Sequence, residues 1–408
     1  MKILHINKFF DLHGGAEVAV HNLMKRQRDL GHEVHIFSTN SPKNEFSEDA
    51  SYFVERFDYA TQEGARKDLR KAVSYLWNRE AQHAVERMLE VIQPDVIHLH
   101  NLYHHLSTSV LEPIRRTKIP CVQTLHDYKL ACPNYKMFTE GSVCERCRGG
   151  RYTEAITHHC LSSSSIANVL AAFEMGMTKF QQSYERTVQM FLCPSQFMAD
   201  KMAAWGEPPG KLVYHPNAVE LSAHPATRDG GYVFAAGRLS PEKGFDVLVR
   251  AAARIPTLTV KIAGIGLEES RLRMLATSLG ATNVQFLGFL RRSEHAEVWS
   301  RAIAHAMPSL NYENAPLSIL DAMADGLPIL GSRIGGIPEM VVDQGNGFLV
   351  EAGNVDAWAD ALASFTALSE PERTRMAEES RRLVVQKFSW EQHLEHLFAL
   401  YRQAGAVG

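Results

Sequence analysis

The sequence has few cysteines, no long apolar run and no strong excess of one charge. Six cysteines in 408 residues are too few for a disulfide-stapled scaffold. No segment reaches the roughly 18 uninterrupted apolar residues of a membrane-spanning helix. The formal net charge is −3, which argues against nucleic acid as the main partner, because proteins that bind phosphate backbones carry a clear basic excess.

The first residues also lack the pattern of a secretory signal. Residues Met1–Asn7 break after two apolar pairs, whereas a signal needs an apolar stretch of about 7–15 residues. We therefore expect a cytoplasmic protein whose only membrane contact would be peripheral. At roughly 150 residues per domain, the length indicates two to three domains.

Short β-rich runs alternate with helical patterns in both halves of the chain, which is typical of parallel sheets with crossover helices. The predicted strands of the first half are Lys2–Ile6, Glu33–Ser38, Val96–His100, Pro120–His126 and Val188–Cys193. Those of the second half are Tyr232–Ala236, Thr259–Ala263, Val284–Leu287, Ile303–Met307, Pro328–Gly331 and Gly347–Val350.

The interval from Tyr214 to Gly231 is rich in turn residues and poor in periodicity, so we place the domain junction there. The sequence predicts two doubly wound, Rossmann-like α/β domains, residues 1–215 and 216–385, facing a central crevice. A C-terminal helix over residues 386–408 is expected to pack back on the first domain. Ligands of such domains bind at the carboxyl ends of the strands.

A glycine pair, Gly14-Gly15, follows the first strand and opens a helix predicted over Ala16–Leu30. Small residues there allow backbone N–H groups at a helix N-terminus to approach an anionic ligand. A tight turn that binds nothing explains the same pair.

The first strand of the second domain ends in Gly237-Arg238, and Lys243-Gly244 follows before the next helix. Arginine and lysine around one short loop can hold two neighbouring phosphates. Two solvated surface charges are the alternative.

Two acidic residues flank the start of a later helix, with Glu313 in the preceding loop and Asp321 inside the helix. Pro316 suits the first helical position. Carboxylates placed in this way can accept hydrogen bonds from sugar or ribose hydroxyls. The alternatives are that Glu313 only stabilises the helix dipole and that Asp321 is solvated.

Taken in order, these motifs resemble the retaining, nucleotide-sugar-dependent glycosyltransferases with the GT-B fold, group 1 or family 4. The matching segments are Gly14–Glu17, Gly237–Leu239 with Lys243-Gly244, Glu313–Asp321, Ala324–Pro328 and Gly335–Glu339. The resemblance covers essentially the whole chain and is strongest over residues 232–351.

The resemblance implies that the second domain binds a nucleotide diphosphate sugar and that the first holds the acceptor. Arg238 and Lys243 would contact the diphosphate, Glu313 the sugar and Asp321 the ribose. The family usually has glutamate at this last position, so the shorter Asp321 changes the reach. The implied donor site also includes Gly14, Gly15, Gly237, Asn314, Ala315, Pro316 and Leu317.

His126 matches a family position near the donor sugar and is the remaining catalytic candidate, with Arg238, Lys243 and Glu313. A histidine at a strand's carboxyl end can donate to a sugar oxygen, although a structural histidine is the alternative. Because Arg238 and Lys243 supply positive charge, no catalytic metal is expected.

The function that follows is sugar transfer to a glycan or lipid-linked saccharide, in bacterial surface polysaccharide or glycoconjugate synthesis. A nucleotide-sugar epimerase on the same fold, or a non-catalytic sugar-nucleotide-binding protein, are alternatives, because a fold does not fix a reaction.

The predicted helix over residues 65–77 has apolar and basic faces. Such a helix can lie on an anionic membrane surface, here the inner face of the membrane. Packing on its own domain is the usual explanation for this pattern.

Four of the six cysteines, Cys132, Cys144, Cys147 and Cys160, cluster in an insertion near residues 127–165. Four thiolates with a Cys-x₂-Cys pair can bind a structural Zn²⁺, and His158 or His159 could replace one sulfur. Free thiols or a redox-active Cys144/Cys147 pair are the alternatives.

Overall fold

The computed structural model describes residues 1–12, 14–59, 61 and 63–407. The chain forms two compact units, of which the first comprises Met1–Met137, Glu145–His215 and Leu394–Gly408. The second comprises Phe138–Cys144 and Pro216–His393. The first unit is therefore assembled from three separate stretches of the sequence.

The first unit contains a six-stranded parallel sheet with the order β2-β1-β3-β4-β7-β8. Its strands are β1 (Lys2–Ile6), β2 (Glu33–Phe37), β3 (Val96–Leu99), β4 (Cys121–Thr124), β7 (Met190–Cys193) and β8 (Leu212–Tyr214). Its helices are α1 (Gly15–Asp29), α2 (Ala65–Leu76), α3 (Arg79–Ile92), α4 (Leu111–Thr117), α5 (Glu154–Thr157), α6 (Ser165–Gln181) and α7 (Gln196–Ala204).

The second unit has a six-stranded parallel sheet with the order β11-β10-β9-β12-β13-β14. Its strands are β9 (Tyr232–Ala236), β10 (Thr259–Ala263), β11 (Val284–Gly288), β12 (Ala304–Met307), β13 (Ile329–Ser332) and β14 (Gly347–Val350), with a short hairpin of β5 (Phe138–Thr139) and β6 (Ser142–Val143). Its helices are α8 (Phe245–Ala252), α9 (Glu269–Ser278), α10 (Arg292–Ser300), α11 (Leu317–Ala324), α12 (Ile337–Met340), α13 (Val355–Ala367) and α14 (Glu370–Lys387).

The last helix, α15 (Trp390–Gln403), passes from one unit to the other along the chain. Its residues from Leu394 onward belong to the first unit. There the buried Tyr401 accepts a hydrogen bond from Gln27 of α1 at 3.2 Å. Helix α15 thus contributes a buried side chain to the core of the first unit.

Both faces of the second sheet are buried, as parallel sheets require. Alternate residues of β9 enter two different apolar clusters: Val233 and Ala235 pack in one, and Tyr232 and Phe234 in the other. This explains why the strands read as continuous apolar runs and why the two parallel sheets were predictable from sequence.

A few element bounds differ from the sequence prediction. Strand β4 ends at Thr124, so His126 lies two residues beyond it. Pro316 is the N-cap of α11 and not its first helical residue. The single helix predicted over residues 386–408 is instead the end of α14 followed by α15. Phe388 and Ser389 separate the two helices.

Candidate active site

The strand order of the second unit reverses between β9 and β12. From β9 the sheet continues on one side through β10 and β11, and from β12 it continues on the other side through β13 and β14. Open α/β sheets bind ligands at the carboxyl edge of this point. The loop after β9 carries Arg238 and Lys243, and the loop after β12 carries Glu313. The topology therefore brings together three of the residues that the sequence analysis selected.

The loop after β9 forms a short 3-10 turn, Pro241–Lys243, and Gly244 then begins the path into α8. Gly244 has φ of 65°, and a Cβ there would lie 2.0 Å from the carbonyl oxygen of Pro308. Only glycine allows this approach. The close contact between the two loops fixes Lys243 beside the segment that follows β12.

Glu313 is the centre of the resulting polar cluster. Its Oε1 accepts hydrogen bonds from Lys243 Nζ at 2.6 Å and from Ser309 Oγ at 2.7 Å. The residue is 9% exposed, so this ion pair lies in a weakly solvated position, where electrostatic interactions are stronger than in water. The side-chain amide of Asn311 lies beside the same oxygen, at 3.3 Å.

The backbone of Glu313 is held from a third loop, the one after β13. Gly336 N donates to Glu313 O at 2.7 Å. Gly335 has φ of 60°, and a Cβ there would lie 2.3 Å from the same oxygen. The glycine pair Gly335-Gly336 thus positions Glu313 through its main chain.

Arg238 is more open than Lys243, with 64% of its side chain exposed. Its Nη2 donates to Glu242 Oε1 at 3.0 Å. Because a guanidinium has five N–H donors, this one bond leaves the group able to hold an anion. Glu242 is buried, and its carbonyl oxygen accepts from Leu310 N at 2.8 Å.

The other predicted donor-site residues of this unit lie near the same edge. Gly237 follows β9 directly. Asn314, Ala315, Pro316 and Leu317 are half-buried at the start of α11, and Ala315 O accepts from Asn217 Nδ2 at 3.0 Å. Asp321 lies one turn inside α11 with an exposed side chain.

In the first unit, Gly14 is the N-cap of α1 and Gly15 its first residue. A Cβ on Gly14 would lie 2.6 Å from Glu17 Oε2. The buried Glu17 carboxylate therefore occupies the space beside the helix N-terminus, where a negative charge is favoured by the helix dipole. Any anionic ligand at Gly14-Gly15 has to share this region with Glu17.

His126 is half-buried and lines a narrow cleft with Asn101, Asp127 and Lys129. Its Nε2 lies 3.0 Å from His100 Nδ1. Burial lowers the pKa of His126 to about 4, because desolvation disfavours the charged imidazolium. His126 is therefore neutral near pH 7.

The four clustered cysteines lie among described residues, and none of them forms a disulfide. Cys132 and Cys147 are buried, whereas Cys144 and Cys160 are half-buried. Asn134 connects two of them, since its Oδ1 lies 2.9 Å from Cys132 Sγ and its Nδ2 donates to Cys160 O at 3.2 Å.

Sequence reasoning missed Ser309, Asn311 and Glu242, although each contacts a selected residue. Ser309 and Asn311 stand four and two residues before Glu313 in the same loop, and that spacing was the available signal. It also missed the contact of His5 with His100, which needs the pairing of two strands distant in sequence.

Two family models match the chain. The model for glycosyl transferases group 1 matches residues 220–383, which contain Arg238, Lys243 and Glu313. The model for Glycosyltransferase Family 4 matches residues 13–223. The chain belongs to glycosyltransferase family 4. The resemblance inferred from the motifs is thereby confirmed.

Curated relatives of this family 4 member include D-inositol 3-phosphate glycosyltransferases. That of Mycobacterium leprae is 35% identical over 182 residues, covering 43% of this chain and 42% of the relative. That of Saccharomonospora viridis is 36% identical over 186 residues, covering 42% of each. The match thus spans about two fifths of the length of these relatives.

Solved structures confirm the GT-B fold over nearly the whole family 4 chain. Sucrose-phosphate synthase from Thermosynechococcus elongatus has a TM-score of 0.72 at 18% identity, with 99% of this chain and 98% of that chain covered. The Anabaena protein HepE, solved in complex with UDP and glucose, has a TM-score of 0.69 at 19% identity, with 98% and 99% covered. Within the described residues, no helix has the length and apolar character that crossing a bilayer requires.

Proposed function

We propose that the protein is a retaining glycosyltransferase that moves a sugar from a nucleotide diphosphate sugar to a glycan or lipid-linked saccharide, in bacterial surface polysaccharide or glycoconjugate synthesis. The observation that carries the proposal is the cluster of Arg238, Lys243 and Glu313 at the strand-order reversal of the second unit. It combines two cations with a carboxylate at the edge where such sheets bind ligands.

The chemistry requires negative charge to be stabilised as the diphosphate leaves the sugar. Lys243 is held by Glu313 at 2.6 Å, which fixes its position and leaves two of its three ammonium protons for phosphate oxygens. Arg238 adds a planar donor group beside it. Preorganised charges of this kind stabilise a transition state without moving during the reaction.

Glu313 has a second role in the proposal. Its Oε1 is used by Lys243 and Ser309, so Oε2 is the oxygen offered to a hydroxyl of the sugar. We place Asp321 on the ribose, Gly14 and Gly15 in the donor site, and His126 near the donor sugar. A donor of UDP type is favoured for testing first, since HepE was solved with UDP and glucose.

The experiment is a donor screen followed by a transfer assay. UDP, GDP and ADP sugars are compared by thermal shift, since a ligand that binds only the folded state raises the melting temperature. The stabilising donor is then offered to glycan, lipid-linked and D-inositol 3-phosphate acceptors, and NMR of the product gives its anomeric configuration. A donor altered without acceptor would indicate an epimerase, and binding without turnover on any acceptor would indicate a sensor.

We further propose peripheral contact of the first unit with the cytoplasmic face of an anionic membrane. Leu69 and Val73 of α2 are 66% and 56% exposed, with basic Arg66 and Lys67 on the same helix. Helix α6 packs against α2 and exposes further apolar residues. These are Ile166, Val169, Phe173 and Phe180.

Exposed apolar residues beside basic ones are the features that bind amphipathic helices to anionic bilayers. The test is co-sedimentation with phosphatidylserine vesicles. The Val73→Glu/Phe173→Glu variant should lose binding, whereas Leu267→Glu, at a fully exposed leucine of the second unit, should keep it. Equal binding of all three proteins would reject this surface.

A further inference from the structure

A row of histidine rings lies at the carboxyl edge of the first sheet. His5 is on β1, His100 directly follows β3, and His126 follows β4. His5 Nδ1 lies 3.0 Å from His100 Nε2, and His100 Nδ1 lies 3.0 Å from His126 Nε2. His5 and His100 are completely buried. The three rings therefore form a continuous hydrogen-bonded chain that ends at His126.

The buried end of this chain is set by an amide. Gln27 Oε1 lies 2.7 Å from His5 Nε2. With the amide in this orientation, its carbonyl oxygen can only accept a hydrogen bond, and His5 then carries its proton on Nε2. The other end of the amide is fixed too, because Gln27 Nε2 donates to Tyr401 OH at 3.2 Å.

Tyr401 belongs to a second branch that is compatible with this orientation. Its hydroxyl accepts from Gln27, so its proton goes to His98 Nδ1 at 2.7 Å. His98 in turn donates from Nε2 to Thr124 Oγ1 at 2.8 Å. Every member of the branch then has a donor facing an acceptor.

The tautomer of each ring determines the tautomer of the ring it is hydrogen-bonded to, because a donor must face an acceptor. Burial lowers the pKa of His5 and of His126 to about 4, and that of His100 also lies well below its usual range. Each ring is therefore neutral, with one donor and one acceptor nitrogen. Since His5 Nδ1 accepts, His100 donates from Nε2 and accepts at Nδ1, and His126 donates from Nε2.

We propose that Gln27, acting through His5 and His100, fixes His126 as the Nε2–H tautomer, so that His126 offers its ligand an acceptor at Nδ1. Where the ligand is a sugar, the inference rests on the proposed function. The sequence analysis took His126 as a donor to a sugar oxygen, whereas this relay makes it the acceptor from a sugar hydroxyl. Gln27, His5 and His100 are positioning residues in this scheme.

A metal ion is the other ligand that such a cluster could hold. The nitrogen atoms of His5, His98 and His100 lie within 4.8 Å of one another. All six ring nitrogens of these residues already have polar partners at 2.7–3.0 Å. The hydrogen-bonded arrangement is complete without an ion, and this favours the relay.

The test is long-range ¹H–¹⁵N NMR of the full chain labelled in its histidines, which distinguishes the two neutral tautomers directly. The His126 signal is assigned by its loss in His126→Asn. We expect the Nε2–H tautomer for His5, His100 and His126. An Nδ1–H tautomer at His126, or ¹⁵N shifts at His5 that change on addition of Zn²⁺, would overturn the relay.

Substitutions test whether Gln27 determines the tautomer of His126. Gln27→Leu removes the acceptor of His5 and should give His126 a mixture of both tautomers. The matched control is Gln123→Leu, because the buried Gln123 donates to the His100 carbonyl oxygen at 3.1 Å and, among the described residues, forms no hydrogen bond with a ring nitrogen. It should leave the tautomer unchanged.

If Gln27→Leu does not fold, Tyr401→Phe releases the amide from its fixed orientation and should give the same mixture. A His126 tautomer that stays wholly Nε2–H in the variant examined would reject the role of Gln27. The NMR readout is independent of turnover. Failure of the transfer assay with the expected tautomers would reject the proposed function and keep the relay.

Discussion

Side chains in the cluster of Arg238, Lys243 and Glu313 can form more than one interaction, so a substitution there can affect both the fold and the binding of a ligand. Glu313 binds Lys243 and Ser309 with one carboxylate oxygen. The exposed Arg238 side chain binds Glu242. A change at Lys243 or at Arg238 therefore also removes a cation that pairs with a buried carboxylate, Glu313 in the first case and Glu242 in the second.

We expect Arg238→Ala and Lys243→Ala each to lower kcat by about 10²-fold or more, as loss of one preorganised donor does in other enzymes. Steady-state kinetics with saturating donor measure this. The control is Arg254→Ala, at an exposed arginine that pairs with Asp356, which should keep the wild-type rate. Wild-type turnover in either site variant would show that the donor site lies elsewhere.

The two carboxylates of the site should act on different parts of the donor. Asp321→Asn is expected to weaken binding of the free nucleotide diphosphate and of the intact donor equally, because the ribose is common to both. Glu313→Gln should weaken the sugar-bearing donor more than the free nucleotide diphosphate, because the amide oxygen can still accept from Lys243 Nζ whereas the acceptor offered to the sugar hydroxyl is replaced by an NH₂ group. Calorimetric titration of both ligands into both variants checks this, and equal losses in the Glu313 variant would contradict its assignment.

At the scale of elements, the buried strands of the two sheets were predictable, whereas a short edge strand and a two-residue hairpin were not. Strand β1 and strand β9 have the predicted bounds, because buried parallel strands are short apolar runs between turn signals. The edge strand β8 was missed, since its three residues are partly exposed. The two-residue strands β5 and β6 are too short for any periodicity to show.

The site was predictable to the extent that its residues stand in local motifs. Lys243 and Glu313 were selected from loops after separate strands, and the sheet order then brings them to 2.6 Å. The histidine relay was not predictable, because it depends on the pairing of β1 with β3 and on Tyr401 from the far end of the chain.

The cysteine segment is the element for which we propose a structural Zn²⁺, bound by Cys132, Cys144, Cys147 and Cys160. Elemental analysis of protein purified without added metal should give about one zinc per chain, and the Cys144→Ser/Cys147→Ser variant should lose it. Loss of the ion should also lower the melting temperature, because metal binding contributes directly to folding.

Two further cysteines provide the control for this experiment. Cys121 and Cys193 lie buried in β4 and β7, so Cys193→Ala should keep the zinc. If protein that is grown with sufficient metal and purified anaerobically contains no zinc, the site is rejected. Zinc retained by the double variant would move the ligands to other residues.

For the whole molecule, buried histidines make stability depend on pH. Burial lowers the pKa of His5 and His126 to about 4 and that of His305 to about 3. In the unfolded chain these histidines take up protons near pH 6.5. The stability that comes from keeping them neutral in the folded protein is therefore fully present above that pH. It is lost as pH falls from about 6.5 toward 4, by up to about 1.4 kcal/mol per pH unit for each histidine.

Urea denaturation at pH 7.5 and pH 5 measures this difference. His305 offers a clean variant, since neither of its ring nitrogens has a hydrogen-bond partner among the described residues. His305→Leu should reduce the fall in unfolding free energy by the share of one histidine. The same fall in the variant and the wild type would show that His305 does not titrate on unfolding.

The return of α15 to the first unit affects how the protein is made. The second unit is inserted within the sequence of the first, which ends with Leu394–Gly408. During synthesis, every residue of the second unit has left the ribosome before the first unit receives Tyr401. Domains usually fold in the order in which they are translated. Here the unit that is begun first is completed last, and its histidine row stays without its tyrosine until the final turns of helix emerge.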